Sequence, residues 1–226
     1  MQKRKRRKRK LTPKQESVKY IKIGLIILGV AAMIAGIIKV ADRFQSTEYV
    51  EKTGDEIDAS RPDLEVALLT VNPYSRPGNE TERINGIVIH YTANPEASAM
   101  ANRDYFEGLK DSQITQASSH FIVGLEGEIV QCIPTWEVAY ASNNRNNDTV
   151  SIECCHPDES GKFNDKTYNS VVELTAWLCL KFDLSENEVI RHYDVTGKNC
   201  PKYFVENEDA WKQFRKDVAK QLKKIK

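Results

Sequence analysis

The sequence predicts an α/β fold with a mixed central β-sheet flanked by helices, preceded by a single N-terminal transmembrane helix. Three observations support this prediction. Strand-like and helix-like segments alternate in the C-terminal part, a long uncharged apolar run lies near the N-terminus, and the charges are distributed unevenly. With 226 residues, of which 40% are hydrophobic and 29% charged, the chain fits one globular domain with appendages.

The N-terminal region predicts a membrane anchor behind a basic cytoplasmic tail. Basic side chains dominate residues 1–19, and the sixteen residues Ile23–Ile38 carry no charge. A helix of that length is about 24 Å long, so residues 20–41, with Lys22 and Lys39 reaching towards the head groups, suffice to cross a hydrocarbon core of about 30 Å. Because basic residues are retained on the cytoplasmic side, the C-terminal part is expected across the membrane.

Two other interpretations of this region remain open. A cleavable signal peptide needs small residues before the cut, whereas Lys39 occupies the third position before a cut after Ala41. A nucleic-acid-binding tail would also be basic. However, residues 1–41 carry twelve Lys/Arg against one acidic residue, while residues 42–226 carry 21 against 31. The acidic remainder argues against nucleic acid as a partner.

A spacer is predicted over residues 42–65 and one domain over residues 66–226. The spacer is polar and acidic and has no sustained hydrophobic periodicity. In the domain, short apolar segments predict strands over residues 86–92, 119–125, 128–134 and 149–155. The second and third strands are expected to form a hairpin across Glu126 and Gly127. Helices are predicted over residues 96–110, 167–183 and 206–225, and the apolar centre of the second indicates burial.

The five cysteines do not indicate a disulfide framework. Their number is odd, and Cys154 and Cys155 are neighbours on a predicted strand, where their side chains point to opposite faces. Cys132 and Cys179 lie in apolar runs that are typical of buried thiols.

Cys200 differs because it lies in a polar stretch, RHYDVTGKNCP, together with His192 and Lys198. A redox role usually needs a second nearby thiol, which this stretch lacks. Zinc is the better candidate, because thiolate and imidazole are its preferred ligands and a catalytic site combines three protein ligands with one open position. His90, at the end of an apolar strand, is a candidate third ligand held at the rim of the sheet. The alternative role for His90 is that of a histidine at the sheet rim that makes hydrogen bonds and binds no metal.

Four stretches together resemble the zinc-dependent N-acetylmuramoyl-L-alanine amidases, the Amidase_2 family, which is related to the peptidoglycan recognition proteins. In chain order they are GIVIHYTANP, SSHFIVGLEGEIVQCIP, NNDTVSIE and RHYDVTGKNCP, and the similarity extends over about residues 68–215. The resemblance implies hydrolysis of the amide bond between N-acetylmuramic acid and the L-alanine of the peptidoglycan stem peptide. Together with the predicted anchor, it implies a bacterial cell membrane as the location, with the catalytic domain outside.

The same resemblance implies roles for five residues. His90, His192 and Cys200 match the family's zinc ligands, Glu153 matches the glutamate beside the attacking water, and Lys198 matches the lysine that faces the reacting carbonyl. Amide hydrolysis needs an activated water, a stabilised oxyanion and a protonated amine, and this set supplies all three. The alternative for Glu153 is a solvated carboxylate on a strand, and the alternative for Lys198 is a charged loop residue without a catalytic role.

One position departs from the family pattern. Some relatives carry a catalytic tyrosine immediately before the histidine of the second strand, where this chain has Ser119 before His120. That departure places more weight on Glu153, and His120 is expected to be a core or supporting histidine. His156 is expected to be structural or to line the rim, in a turn-rich loop. The polar loop Ser142–Asp148 is well placed to contact glycan or peptide, although asparagine-rich loops are commonly turns.

A membrane-anchored peptidoglycan-binding module without turnover is the alternative function. Replacement of the cysteine ligand typically marks the non-enzymatic relatives, whereas this chain has Cys200. The sequence therefore favours a zinc enzyme whose partner is peptidoglycan.

Overall fold

The structure is a computed structural model that describes residues 54–226. Its helices and strands are α1 Gly54–Ala59, β1 Glu65–Val66, β2 Gly86–Tyr91, α2 Ala99–Ser112, β3 Phe121–Val123, β4 Ile129–Gln131, β5 Thr149–Cys154, α3 Asp165–Lys181, β6 Val189–Arg191, α4 His192–Thr196, α5 Lys202–Glu206 and α6 Glu208–Ile225. Two 3-10 turns, Asn143–Arg145 and Glu186–Glu188, precede β5 and β6.

The strands of the described residues form one mixed sheet in the order β1-β4-β3-β5-β2-β6. Strands β3 and β4 are antiparallel, and the other neighbouring strands are parallel. The predicted hairpin is therefore confirmed. Gly127 has φ +86° in its turn, a left-handed conformation that glycine adopts without steric cost. The prediction of a mixed central sheet flanked by helices is confirmed as well.

Helices cover both faces of the sheet. Phe121 and Val123 belong to one apolar core with α3 and α6, whereas Ile122 between them belongs to a second core with α2. Successive side chains of a strand point to opposite faces, so the two cores lie on opposite sides of the sheet. Helix α3 has buried side chains at ten positions, which confirms the burial expected from its apolar centre.

The predicted boundary between spacer and domain, at residue 65, is wrong. Residues 54–65 contain helix α1 and the first residue of strand β1. The indole N–H of Trp177 donates to the carbonyl oxygen of Ile57 at 2.9 Å, and Ile57 packs against the core. Strand β1 pairs in parallel with β4. Elements of six and two residues are too short to show hydrophobic periodicity, and their stability comes from packing on the domain.

Within residues 54–226, no helix has both the length and the hydropathy that crossing a membrane requires. The predicted basic tail, residues 1–19, and the predicted anchor, residues 20–41, lie outside the described residues, as does most of the predicted spacer.

Glu107 on α2 fixes the segment that follows β1. The backbone N–H and the hydroxyl of Thr70 donate to its two carboxylate oxygens at 2.9 and 2.6 Å, and the Lys110 ammonium donates at 2.9 Å. Burial raises the pKa of Glu107, but the bonds from Thr70 and Lys110 outweigh it and hold the pKa at about 2, against 4.5 for a free side chain. The carboxylate thus stabilises the fold above about pH 4.5, and this contribution is lost as the pH falls towards 2.

The Glu107→Gln variant is expected to lower the free energy of unfolding by about 1–2 kcal/mol at pH 6. The effect is kept modest by solvent screening around this partly exposed group. Urea unfolding of the wild type and the variant at pH 6 and pH 3 checks this, and the difference should shrink at pH 3. An equal difference at both pH values would show that the charge of Glu107 contributes nothing.

Candidate metal centre

Three neighbouring parallel strands bring the candidate residues together at their carboxyl ends. His90 lies next to the end of β2 and pairs in register with Glu153 of β5, and His192 directly follows the last residue of β6. Since paired residues of neighbouring strands point to the same face, His90 and Glu153 share one side of the sheet. Sites at the carboxyl ends of parallel strands are the rule in α/β folds.

His90, His192 and Cys200 form a compact buried cluster. Their ligand atoms lie within 4.8 Å of one another, and Sγ of Cys200 lies 3.8 Å from Nδ1 of His90. Tetrahedral zinc with Zn–N of about 2.0–2.1 Å and Zn–S of about 2.3 Å separates such atoms by about 3.6 Å. The donor types and their spacing therefore fit a divalent metal that prefers thiolate and imidazole.

Local structure turns Cys200 back towards the strands. Gly197 follows the last residue of helix α4 with a left-handed φ of +78°, and its N–H donates to the carbonyl oxygen of Tyr193 at 2.7 Å. The Tyr193 N–H in turn donates to the carbonyl oxygen of Cys200 at 2.9 Å. These bonds close a short loop over α4 and leave the Cys200 side chain buried beside His90.

Burial sets the protonation of all three groups. It lowers the pKa of His90 well below 6.5, with further contributions from His192 and Lys198, and it also lowers the pKa of His192. Both imidazoles are therefore neutral at pH 7, as ligation requires. Burial, followed by the charge of Glu153, raises the pKa of Cys200 to about 12. A bound cation would reverse this preference and stabilise the thiolate.

Hydrogen bonds from one loop reach the Nε2 atoms of both histidines. Nε2 of His90 lies 3.3 Å from Oγ of Ser142, and Nε2 of His192 lies 2.9 Å from Oδ1 of Asn143. Sequence reasoning placed both partners in a loop expected to contact substrate and missed their contact with the histidines. Their side-chain type is the only signal that the sequence holds for this contact, since hydroxyl and amide oxygens are common partners of ligand imidazoles.

Glu153 and Lys198 line the same cleft as the three clustered side chains. The volume of this cleft is about 410 Å³. Oε2 of Glu153 is buried and has no hydrogen-bond partner within the described part of the chain. Burial raises the pKa of Glu153 to about 8, although the Lys198 charge acts in the opposite direction. The carboxyl group can therefore take up and release a proton near neutral pH, which is the property of a general acid and base.

The two other histidines lie outside the cleft lining. His120 is buried, and its Nδ1 accepts from the Ser151 N–H at 3.0 Å while its Nε2 lies 2.9 Å from the carbonyl oxygen of Glu137. This is the core or supporting position expected from the sequence. His156 is also buried, and its Nδ1 lies 2.7 Å from the carbonyl oxygen of Asp158, as expected for a structural residue.

Arg191 connects the helices around His192 and Cys200 by hydrogen bonds. Its guanidinium donates to both carboxylate oxygens of Asp194, to Glu208 and to the carbonyl oxygen of Phe204, at 2.8–3.1 Å. The side chain is only 9% exposed. One planar cation thus joins the end of β6 to helices α4, α5 and α6.

The Arg191→Lys variant is expected to lower the free energy of unfolding by about 2–3 kcal/mol, because an ammonium group cannot reproduce the bidentate bond to Asp194. Chemical unfolding of the metal-free chain measures the change. Arg215→Lys is the matched control, since Arg215 bonds the more exposed turn at Glu186 and Asn187 and should change stability by less than about 1 kcal/mol. Equal effects of the two substitutions would contradict the anchoring role of Arg191.

Comparisons with known proteins agree with the geometry. Residues 80–203 match the family Amidase_2, N-acetylmuramoyl-L-alanine amidase. N-acetylmuramoyl-L-alanine amidase CwlL of Bacillus licheniformis is 39% identical over 164 residues, which cover 67% of this chain and 45% of that protein. N-acetylmuramoyl-L-alanine amidase BlyA of Bacillus subtilis strain 168 is 31% identical over 177 residues, which cover 69% and 47%. The chain thus spans less than half of the length of these two relatives.

A solved structure of similar fold is the catalytic domain of XlyA, an N-acetylmuramoyl-L-alanine amidase of Bacillus subtilis strain 168. The TM-score is 0.59 and the sequence identity 26%, and the similarity covers 70% of this chain and 99% of that one.

Proposed function

Since this chain belongs to the N-acetylmuramoyl-L-alanine amidase family, Amidase_2, we propose that it hydrolyses the amide bond between N-acetylmuramic acid and the L-alanine of the peptidoglycan stem peptide. One observation carries the proposal. Three metal-ligating side chains, His90, His192 and Cys200, converge in the cleft that Glu153 and Lys198 also line.

Zinc is the metal that His90, His192 and Cys200 would hold, because two neutral imidazoles and one thiolate leave a fourth position open. When bound, zinc lowers the pKa of a coordinated water towards about 7 and polarises the substrate carbonyl.

Glu153 is proposed to move the proton. Its buried carboxylate would accept a proton from the attacking water as the new carbon–oxygen bond forms, and would then deliver it to the departing nitrogen as the carbon–nitrogen bond breaks. Burial raises the pKa of Glu153 to about 8 in the metal-free chain, and a bound cation would lower it and favour the carboxylate that accepts the proton. The unpartnered Oε2 also supports this role, because no competing hydrogen bond from the described residues holds this atom.

Lys198 is proposed to stabilise charge on the substrate. The residue is exposed and lines the cleft, so its ammonium group can approach the carbonyl oxygen of a bound substrate. Negative charge develops on that oxygen during attack, and a positive charge close to it lowers the barrier.

Incubation of the full chain with muropeptides tests the proposal. Mass spectrometry should detect free stem peptides when zinc is present, none after treatment with a chelator, and recovery of the reaction when zinc is restored. Muropeptides that stay intact with the zinc-loaded chain but bind to it would favour the alternative, a peptidoglycan-binding module without turnover.

A membrane tether is proposed for the same protein, on the strength of the apolar run Ile23–Ile38 and the basic residues before it. The domain would then face the cell wall of a bacterium, on the outer side of the membrane. Removal of residues 1–41 should release the protein from the membrane fraction of expressing cells. An unchanged membrane fraction after that truncation would contradict the tether.

A further inference from the structure

We propose that Ser142 and Asn143, in the loop Ser142–Asn146, position the imidazoles of both histidine ligands, so that metal affinity depends on side chains that do not themselves bind the metal. The inference deepens the proposed function and rests on it. Two contacts carry the inference. Ser142 contacts His90 on β2, and Asn143 contacts His192, which lies immediately after β6.

Asn143 determines which nitrogen of His192 is available to the metal. Its Oδ1, an acceptor, lies 2.9 Å from Nε2, so that ring nitrogen carries the hydrogen and donates. The other nitrogen, Nδ1, is left without a proton and can ligate. A ligand imidazole whose second nitrogen is held in this way keeps both its tautomer and its orientation.

Ser142 contacts the corresponding nitrogen of His90. Its Oγ lies 3.3 Å from Nε2 of His90, while Nδ1 on the other side of the ring lies 3.8 Å from Sγ of Cys200. Ser142 is only 1% exposed, so water does not compete for this bond. In both histidines, therefore, the loop contacts Nε2.

The loop is built independently of the histidines. Oδ1 of Asn146 accepts from the backbone N–H groups of Ala141 and Ser142, at 3.1 and 2.6 Å, and the Arg145 side chain bonds Asp148 at 2.8 Å. A loop tied by its own bonds can hold the two rings at fixed angles.

The backbone at Asn143 also fits this role. Its φ of +54° lies in the left-handed region, which asparagine tolerates better than most residues because its short side chain bonds locally. The sequence had indicated this loop only as a polar segment near the substrate. The contacts assign it a second task, that of orienting the metal ligands.

Zinc affinity of the full chain, measured by competition with a chelating indicator, tests the inference. Asn143→Gly removes the acceptor and accommodates the left-handed backbone, so we expect affinity to fall about 10–100-fold. Asn143→Asp keeps an acceptor oxygen and should restore most of the affinity. Asn144→Gly is the matched control. This exposed neighbour lies in the same turn, and its substitution should leave affinity unchanged.

The ligand-field spectrum of the cobalt-substituted chain gives a second readout. Asn143→Gly should change this spectrum, because a freed imidazole alters the geometry around the metal, whereas Asn144→Gly should not. A wild-type chain that binds zinc, together with an Asn143→Gly variant of equal affinity and spectrum, would overturn the inference alone. A wild-type chain that binds no zinc would overturn the proposed function as well.

Discussion

Replacement of Cys200 by serine is expected to remove zinc from the chain and to lower the turnover of the proposed amidase reaction by about 1,000-fold or more. A hydroxyl is a far weaker zinc ligand than a thiolate, and His90 and His192 alone leave the site with two protein ligands. The metal contributes several kcal/mol to this type of reaction, and each 1.36 kcal/mol corresponds to about a factor of ten in rate. Elemental analysis of the purified variant and release of stem peptides from muropeptides measure the two effects.

Cys179→Ala is the matched control for this experiment. Cys179 is as buried as Cys200 but lies in the core on α3, outside the cleft lining. Its loss should lower stability slightly and leave zinc content and turnover unchanged. A Cys200→Ser variant that retains one zinc per chain and full turnover would mean that the metal centre has been placed on the wrong residues.

Replacement of Glu153 by glutamine should separate metal binding from catalysis. The amide has nearly the same shape but cannot accept the proton of the attacking water, so turnover is expected to fall by about 100- to 10,000-fold with zinc content unchanged. The stability of the metal-free chain should not decrease, because the buried Oε2 of Glu153 makes no hydrogen bond to the described residues that could be lost.

Glu173→Gln serves as its control, since this exposed carboxylate on α3 lies outside the cleft lining. It should leave both zinc content and turnover unchanged. Loss of zinc from the Glu153→Gln variant would show that Glu153 binds the metal, and unchanged turnover would show that another group moves the proton.

Long or strongly patterned elements of this fold were predictable from the sequence. The hairpin follows from two apolar runs separated by a turn with Gly127, and helix α3 follows from its apolar centre. Strand β6, with three residues, and helices α4 and α5, with five each, are shorter than any window in which periodicity can be measured. Their position depends on tertiary contacts such as those of Arg191.

The candidate site was predictable to different degrees. His192 and Cys200 lie on one short stretch, so their residue types alone indicated a metal. Cys200 and His90 are 110 residues apart, and in the sequence only the resemblance to a family linked them. In the structure, the pairing of β2 with β6 brings His192 beside His90, and the loop that closes over α4 places Cys200 next to both. The contacts of Ser142 and Asn143 with the histidines could not be predicted, because a loop that folds over neighbouring strands leaves no periodic signal.

X-ray absorption at the zinc edge of the zinc-loaded full chain tests the central claim most directly. Coordination by His90, His192 and Cys200 predicts one sulfur at about 2.3 Å, two imidazole nitrogens at about 2.0–2.1 Å and one further light atom from solvent. A zinc shell without sulfur, or one filled by four protein ligands, would contradict the claim that these three side chains form an open catalytic metal site.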